Sequence, residues 1–262
     1  MKPRALILHA NGSNRDHDVA RALELAGAQP EIVPLNTLRE QRIPIIRYQL
    51  LALPGGFSYA DALGAGKLMG LDLKTYFAEA AREFVASGRP VIGICNGFQA
   101  LVKGGILSSP GGRRAAGERE PQATLTFNAR GRFECRWVTL KPRSQKCLWT
   151  RGLDELIHCP VAHGEGNFIL SDPKLLADLN MDDQIALTYA NADGSPADEQ
   201  YPANPNGSIA DIAGICNPQG NVLGLMPHPE NHIFPYQHPH FTRGGQAGLG
   251  LMLFENGVRS IS

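Results

Sequence analysis

Four short apolar runs recur through the first hundred residues: RALILHA from Arg4, PEIVPLN from Pro30, YQLLALPGG from Tyr48 and RPVIGI from Arg89. The segments between them have another period. Asp16–Ala26 puts Val19, Ala22, Leu23 and Ala26 on one helical face that ends at Gly27, and Lys74–Ser87 carries Tyr76, Phe77, Ala80 and Phe84 as a second helix. Apolar runs too short for helices, alternating with amphipathic stretches, constrain the chain to βαβ units. They imply a parallel sheet with right-handed crossovers.

After Gly104 the rhythm changes. SSPGGRRAAGEREPQ (Ser108–Gln122) reads as an exposed polar loop whose Arg113, Arg114 and Arg119 form a solvated face. RFECRWVTL, NFILS, QIALTYA, IAGICN and NVLGLMPH then read as strands, with NPNG and NPQGN as turns between them. The expectation is one α/β domain: a mostly parallel sheet with antiparallel strands added in the second half. No internal repeat divides it. The tetrapeptide GICN occurs twice, at Gly93–Asn96 and Gly214–Asn217, in different settings.

Charge removes several classes of function. Lys+Arg and Asp+Glu are both 25, so the net charge is zero and no basic footprint for nucleic acid or an anionic membrane is present. No apolar run approaches the roughly 18–20 residues of a membrane span, and Ala5–Leu8 is too short for a signal peptide core. The five cysteines are an odd count without a CxxC pair, which points away from a disulfide framework and towards a reducing cytoplasm.

The two GICN cysteines lead into different local structure. Cys95 ends an apolar strand and opens a helix-competent segment, with Gly93 and Gly97 two positions to either side. Small flanks of this kind relieve crowding around a nucleophile on a sharp strand-to-helix turn. The thiol then projects above the carboxyl edge of the sheet and near the positive end of a helix, which favours thiolate. The N–H of Asn96 points to where an oxyanion forms. Cys216 precedes Asn217-Pro218-Gln219-Gly220, a turn, so its thiol is expected to pack into the core.

A thiol nucleophile needs a base, and the base an orienting partner. Met226-Pro227-His228-Pro229-Glu230 offers both: in extended chain, residues two apart share a side, so Glu230 reaches one ring nitrogen of His228 while the other faces a thiol. Gly55 and Gly56, after the third strand, are candidates for a second oxyanion donor. His163-Gly164-Glu165-Gly166 reads either as a binding element or as a turn with a surface histidine. His232, His238 and His240 lack neighbours that would complete a metal site, so no metal is assigned.

PGGFSYAD (Pro54–Asp61), GICNGFQAL (Gly93–Leu101), TLTFNARGRFECRWV (Thr124–Val138), VAHGEGNF (Val161–Phe168) and the stretch Tyr201–Glu230 together resemble class I glutamine amidotransferases. Beyond the class, they are similar to the glutaminase subunits of phosphoribosylformylglycinamidine synthase. The resemblance implies a flavodoxin-like fold over residues 1–262 and hydrolysis of L-glutamine to glutamate and ammonia. Cys95, His228 and Glu230 would form the triad, Gly55, Gly56 and Asn96 the oxyanion donors, and Gln99 would help hold the substrate. It implies no cofactor in this chain; ATP and Mg would bind a synthetase partner that makes formylglycinamidine ribonucleotide, and a small third subunit would join them. The family's GDYLRAG is here Ala60-Asp61-Ala62-Leu63-Gly64-Ala65-Gly66, which bears on loop or partner contacts. An amidotransferase serving another synthetase would keep the triad without the Thr124–Val138 and NPNGS segments. A non-catalytic glutamine-binding module would keep the elbow alone.

Overall fold

A computed structural model describes residues 2–107, 122–244 and 247–261. Its first half runs β1 (Arg4–His9), α1 (Asp16–Leu25), β2 (Gln29–Pro34), α2 (Leu35–Glu40), β3 (Leu50–Leu53), α3 (Lys67–Tyr76), α4 (Ala78–Ala86), β4 (Val91–Ile94) and α5 (Asn96–Lys103). The second half runs β5 (Ala123–Thr126), β6 (Glu134–Pro142), β7 (Ile157–His163), β8 (Asn167–Leu170), α6 (Leu175–Met181), β9 (Ile185–Ala190), β10 (Ile212–Cys216), β11 (Val222–Leu225) and α7 (Leu251–Arg259).

The main sheet has the order β2-β1-β3-β4-β11-β10-β9-β6-β7. Neighbours from β2 to β11 are parallel, and those from β11 to β7 antiparallel. The parallel half therefore has the 2-1-3-4-5 order of doubly wound sheets, whose ligands bind beyond the carboxyl ends of the strands. β3 and β4 are buried along their whole length, which explains why they read as unbroken apolar runs rather than alternations. α5 packs on the sheet where Gly97 abuts Leu53 of β3, Leu101 meets Gly93 of β4 and Phe98 meets Gly224 of β11, with Phe98 and Leu101 fully buried. Full burial of such side chains contributes about 1.5–3 kcal/mol apiece. The Phe98 ring also stacks on Phe168 at 6.3 Å, which ties α5 to a separate two-stranded sheet of β5 and β8.

The expected helix Lys74–Ser87 is two helices. α3 begins seven residues earlier, at Lys67, and Phe77 leaves helical geometry (φ −123°, ψ 10°) before α4 starts. The turn buries the Phe77 ring while Tyr76 stays 54% exposed. Gly70, which interrupts the apolar spacing, is where α3 crosses α5: a Cβ there would stand 3.0 Å from the carbonyl oxygen of Ala100. The strands β5 and β7 and the helices α2 and α6 are further elements beyond the sequence reading. β7 contains Pro160, but it is an edge strand, where a missing N–H is tolerated. Ser108–Pro121, with Arg113, Arg114 and Arg119, lies outside the described residues. Among the described residues, no helix is long and apolar enough to cross a membrane.

Candidate active site

Cys95 sits between β4 and α5 with φ 50° and ψ −106°, a left-handed conformation that costs a non-glycine residue about 1–3 kcal/mol. Its neighbours hold it there. The Cys95 N–H donates to the Leu225 carbonyl at 2.8 Å, and the Cys95 carbonyl accepts from Gln99 N–H at 3.0 Å. Gly93 and Gly97 are required by contact: a Cβ on Gly97 would come 2.0 Å from the Leu53 carbonyl oxygen, and one on Gly93 2.8 Å from that of Gly97. The elbow read from the sequence is thus present, with the thiol at the N-terminus of α5 and 3.8 Å from the carbonyl oxygen of Ala162.

His228 follows β11, the strand beside β4, and its side chain reaches this thiol. Its N–H donates to Pro160 of β7 at 2.8 Å, and its Nδ1 lies 2.7 Å from Glu230 Oε1. The pair forms across a 3-10 turn, Pro229–Asn231, rather than along extended chain; the two prolines and the Asn231 N–H bond to the His228 carbonyl curl the backbone. Both side chains are buried, and the second Glu230 oxygen has no hydrogen-bond partner among the described residues. Burial opposes a charge on His228, but the Glu230 carboxylate and the adjacent Cys95 side chain outweigh it and push the imidazole up to about 10. At neutral pH the ring is an imidazolium.

The two glycines after β3 divide their tasks. Gly55 packs against the His228 ring: a Cβ there would meet His228 Cε1 at 2.7 Å. Gly56, at φ +135°, lines the cavity with Cys95, and a Cβ there would strike the Asn14 backbone at 2.6 Å. The Asn96 side chain is fully engaged. Its Oδ1 accepts from the N–H and hydroxyl of Ser58, and its Nδ2 donates to Asp61 at 2.9 Å and Gln99 at 3.3 Å. Gln99 in turn donates to the Glu165 carbonyl.

The cavity is about 290 Å³, at the small end for ligand pockets, and Cys95, Gly56, Asp61, Gln99, His163 and Glu165 line it. His163 is therefore not a surface histidine: it is 3% exposed, because β7 carries it inwards beneath the Gly164–Gly166 turn. Asp61 keeps its place on the wall although Ala60–Gly66 departs from the family pattern, and Leu63 beside it is 75% exposed. Burial raises the Asp61 carboxyl above its usual range despite the Asn96 hydrogen bond. Glu165 accepts from Ala65 N–H and lies 3.6 Å from Lys103.

The other cysteines are free thiols. Cys216 is completely buried at the end of β10, as its turn implies, with its sulfur directed at the Asp183 carbonyl. His232 and His238 pack edge-on against Trp137, and among the described residues no group of three or more His, Cys, Asp or Glu is arranged to hold a metal. The sequence reading missed Ser58, Asp61 and Asn206. The only signal for Asn206 was its place in NPNG, which reads as a solvent-facing turn; here it is fully buried.

A family model described as the CobB/CobQ-like glutamine amidotransferase domain matches residues 2–260. Phosphoribosylformylglycinamidine synthase subunit PurQ of Treponema denticola is 58% identical over 243 residues, 89% of this chain and 89% of that protein. The subunit of the same name from Dehalococcoides mccartyi is 41% identical over 261 residues, 98% of this chain and 97% of that one. Among solved structures, a chain from the structure of PurLQS from Thermotoga maritima superposes with a TM-score of 0.73 at 31% identity, over 100% of both chains.

Proposed function

This chain belongs to the CobB/CobQ-like glutamine amidotransferases and, among them, to the PurQ subunits of phosphoribosylformylglycinamidine synthase, and on that premise we propose how its residues work. It has their flavodoxin-like class I fold and is the glutaminase subunit of that synthase in purine biosynthesis. L-glutamine enters the cavity beside Cys95. The thiolate attacks the side-chain amide carbon, and the oxyanion is received by the N–H groups of Asn96 and of Gly56 or Gly55. The His228 imidazolium protonates the departing ammonia as the thioester forms. Neutral His228 then takes a proton from water, the hydroxide adds to the thioester, and glutamate leaves as the thiolate and imidazolium are restored. Glu230 orients the ring and stabilises its charge. Gln99 holds the glutamine.

The observation that carries this reading is the Cys95 thiol, held at a left-handed elbow against a buried His228–Glu230 pair. Ammonia passes to an ATP-dependent synthetase subunit, which carries ATP and Mg, so this chain needs no cofactor of its own. A small third subunit completes the complex, which works in the cytoplasm. The test is glutamate release by wild type, Cys95→Ala and Cys216→Ala, alone and with the synthetase subunit. Wild type and Cys216→Ala are active and Cys95→Ala is not. Loss in Cys216→Ala with retention in Cys95→Ala would overturn the assignment. Turnover is higher in the complex than alone, since unpartnered hydrolysis wastes ammonia.

A further inference from the structure

We propose that Cys147 and Cys216 are a modification site, where hydrogen peroxide closes a reversible disulfide that staples the turn before β7 to the end of β10. The inference goes beyond the glutaminase reading, which uses neither sulfur.

Cys147 lies in the turn between β6 and β7, and Cys216 is the last residue of β10. The backbones around them are docked before any bond forms. The Leu148 N–H donates to the Gly220 carbonyl at 2.9 Å, and the Trp149 indole to the Asn221 carbonyl at 3.2 Å. Gly220 admits this approach because it has no side chain: a Cβ there would lie 2.3 Å from the Lys146 carbonyl oxygen. The Asp183 carbonyl then gathers both cysteines. The Ser144 hydroxyl donates to it at 2.7 Å and accepts from the Cys147 N–H at 2.9 Å, while Cys216 Sγ stands 3.8 Å from it. The two thiols hydrogen-bond to each other, and both are completely buried. A disulfide requires paired sulfurs on backbones that already face each other, and this pair has both.

The sulfurs are not equivalent. Burial opposes a charge on Cys147, but the Cys216 thiol and the N–H groups of Trp149 and Thr150 hydrogen-bond to its sulfur and hold its pKa below the usual thiol value. The same contact pushes Cys216 up, and burial adds to it. The first proton to leave is that of Cys147, whose thiolate is the nucleophile. It attacks one peroxide oxygen as the O–O bond breaks, giving a sulfenic acid and a hydroxide that the released proton turns into water. The Cys216 sulfur then displaces hydroxide from the sulfenic sulfur, and its own proton makes a second water. Two thiols thus lose two electrons and two protons to one peroxide. Gln145 and Arg151, to either side of Cys147, are exposed, so the peroxide enters as this turn opens.

The bond joins two segments that hold the catalytic base. The turn leads into β7, whose Pro160 carbonyl receives the His228 N–H, and β10 turns into β11, which leads to His228. The staple sits at the opposite end of β11 from His228, clear of the Cys95 chemistry.

The test is a peptide map. Full-length wild-type protein is treated with hydrogen peroxide until its composition no longer changes, free thiols are alkylated, and tryptic peptides are analysed without reduction. Trypsin leaves Cys147 in Cys147–Arg151 and Cys216 in Leu175–Arg243, each as the only cysteine, so the bond appears as these two peptides joined with the loss of two hydrogen atoms. Dithiothreitol separates them. In a Cys95→Ser background, which removes the catalytic thiol from the reaction, the oxidised protein melts about 5–15 °C above the reduced one. Adding Cys216→Ala abolishes both the cross-link and the shift. Recovery of Cys147 and Cys216 as alkylated thiols, a bond from either to another cysteine, oxidation that dithiothreitol does not reverse, or an unchanged melting temperature overturns the inference. The wild-type map depends on no variant folding.

Discussion

Glu230 Oε1 stands 2.7 Å from His228 Nδ1 with both side chains shut off from solvent. The carboxylate is first among the attractions that hold His228 up to about 10 against the cost of burial. Glu230→Gln keeps the shape and removes the charge. The imidazolium is then favoured less, so the alkaline limb of the glutaminase pH profile moves to lower pH, and kcat falls by about 10²- to 10⁴-fold. Initial rates of glutamate release across pH check both effects; an unmoved alkaline limb would show that the carboxylate does not set the base.

Gly97→Ala tests the elbow by contact alone. The added methyl has to displace the Leu53 backbone, which it would approach to 2.0 Å, so α5 must move off β3. Stability falls by about 3 kcal/mol or more, read from denaturant unfolding, and glutaminase activity falls with it because Cys95 moves too.

The elbow was legible in the sequence because its requirements are local. A strand buried on both faces is an apolar run, and Gly93 and Gly97 are spaced by the turn itself. Cys216 was legible for the same reason, since NPQG cannot open a helix. What escaped depended on distant partners. The start of α3 at Lys67 was not read because the helix that Gly70 packs against lies some thirty residues on, at Ala100. β7 was hidden by Pro160, which is acceptable only on a sheet edge, and an edge is a property of the whole sheet. His163 looked like a turn residue because its burial is supplied by Asn206 and Gly166.

Position 95 separates function from strain. Cys95→Ala and Cys95→Gly both abolish hydrolysis, since neither has a nucleophile. Only glycine accepts φ 50° and ψ −106° without strain. The glycine variant is therefore more stable than the alanine variant by about 1 kcal/mol, against the usual ranking of the two residues. Paired urea titrations measure the difference. Equal midpoints would mean that the elbow relaxes once the sulfur is gone.

His228 and His163 pull the pH dependence of stability in opposite directions. His228 is raised from 6.5 to about 10 in the folded chain, so between those values the folded state holds a proton that the unfolded state has released. Its contribution is complete below 6.5 and is lost as pH rises towards 10. His163 is lowered from 6.5 to about 3, so below 6.5 the unfolded state takes up a proton that the folded state refuses. Stability is lost there as pH falls. Together they place a maximum near 6.5, provided carboxylates, which titrate lower, are kept out of the window. Unfolding free energies measured between about pH 5 and 9 should decline on both sides. His228→Gln lessens the alkaline slope, and His163→Asn lessens the acid slope, which His158, His232 and His238 share because their pKa values are lowered by burial too. A slope left unchanged by the substitution on its own side would mean that the ring does not titrate with folding as described.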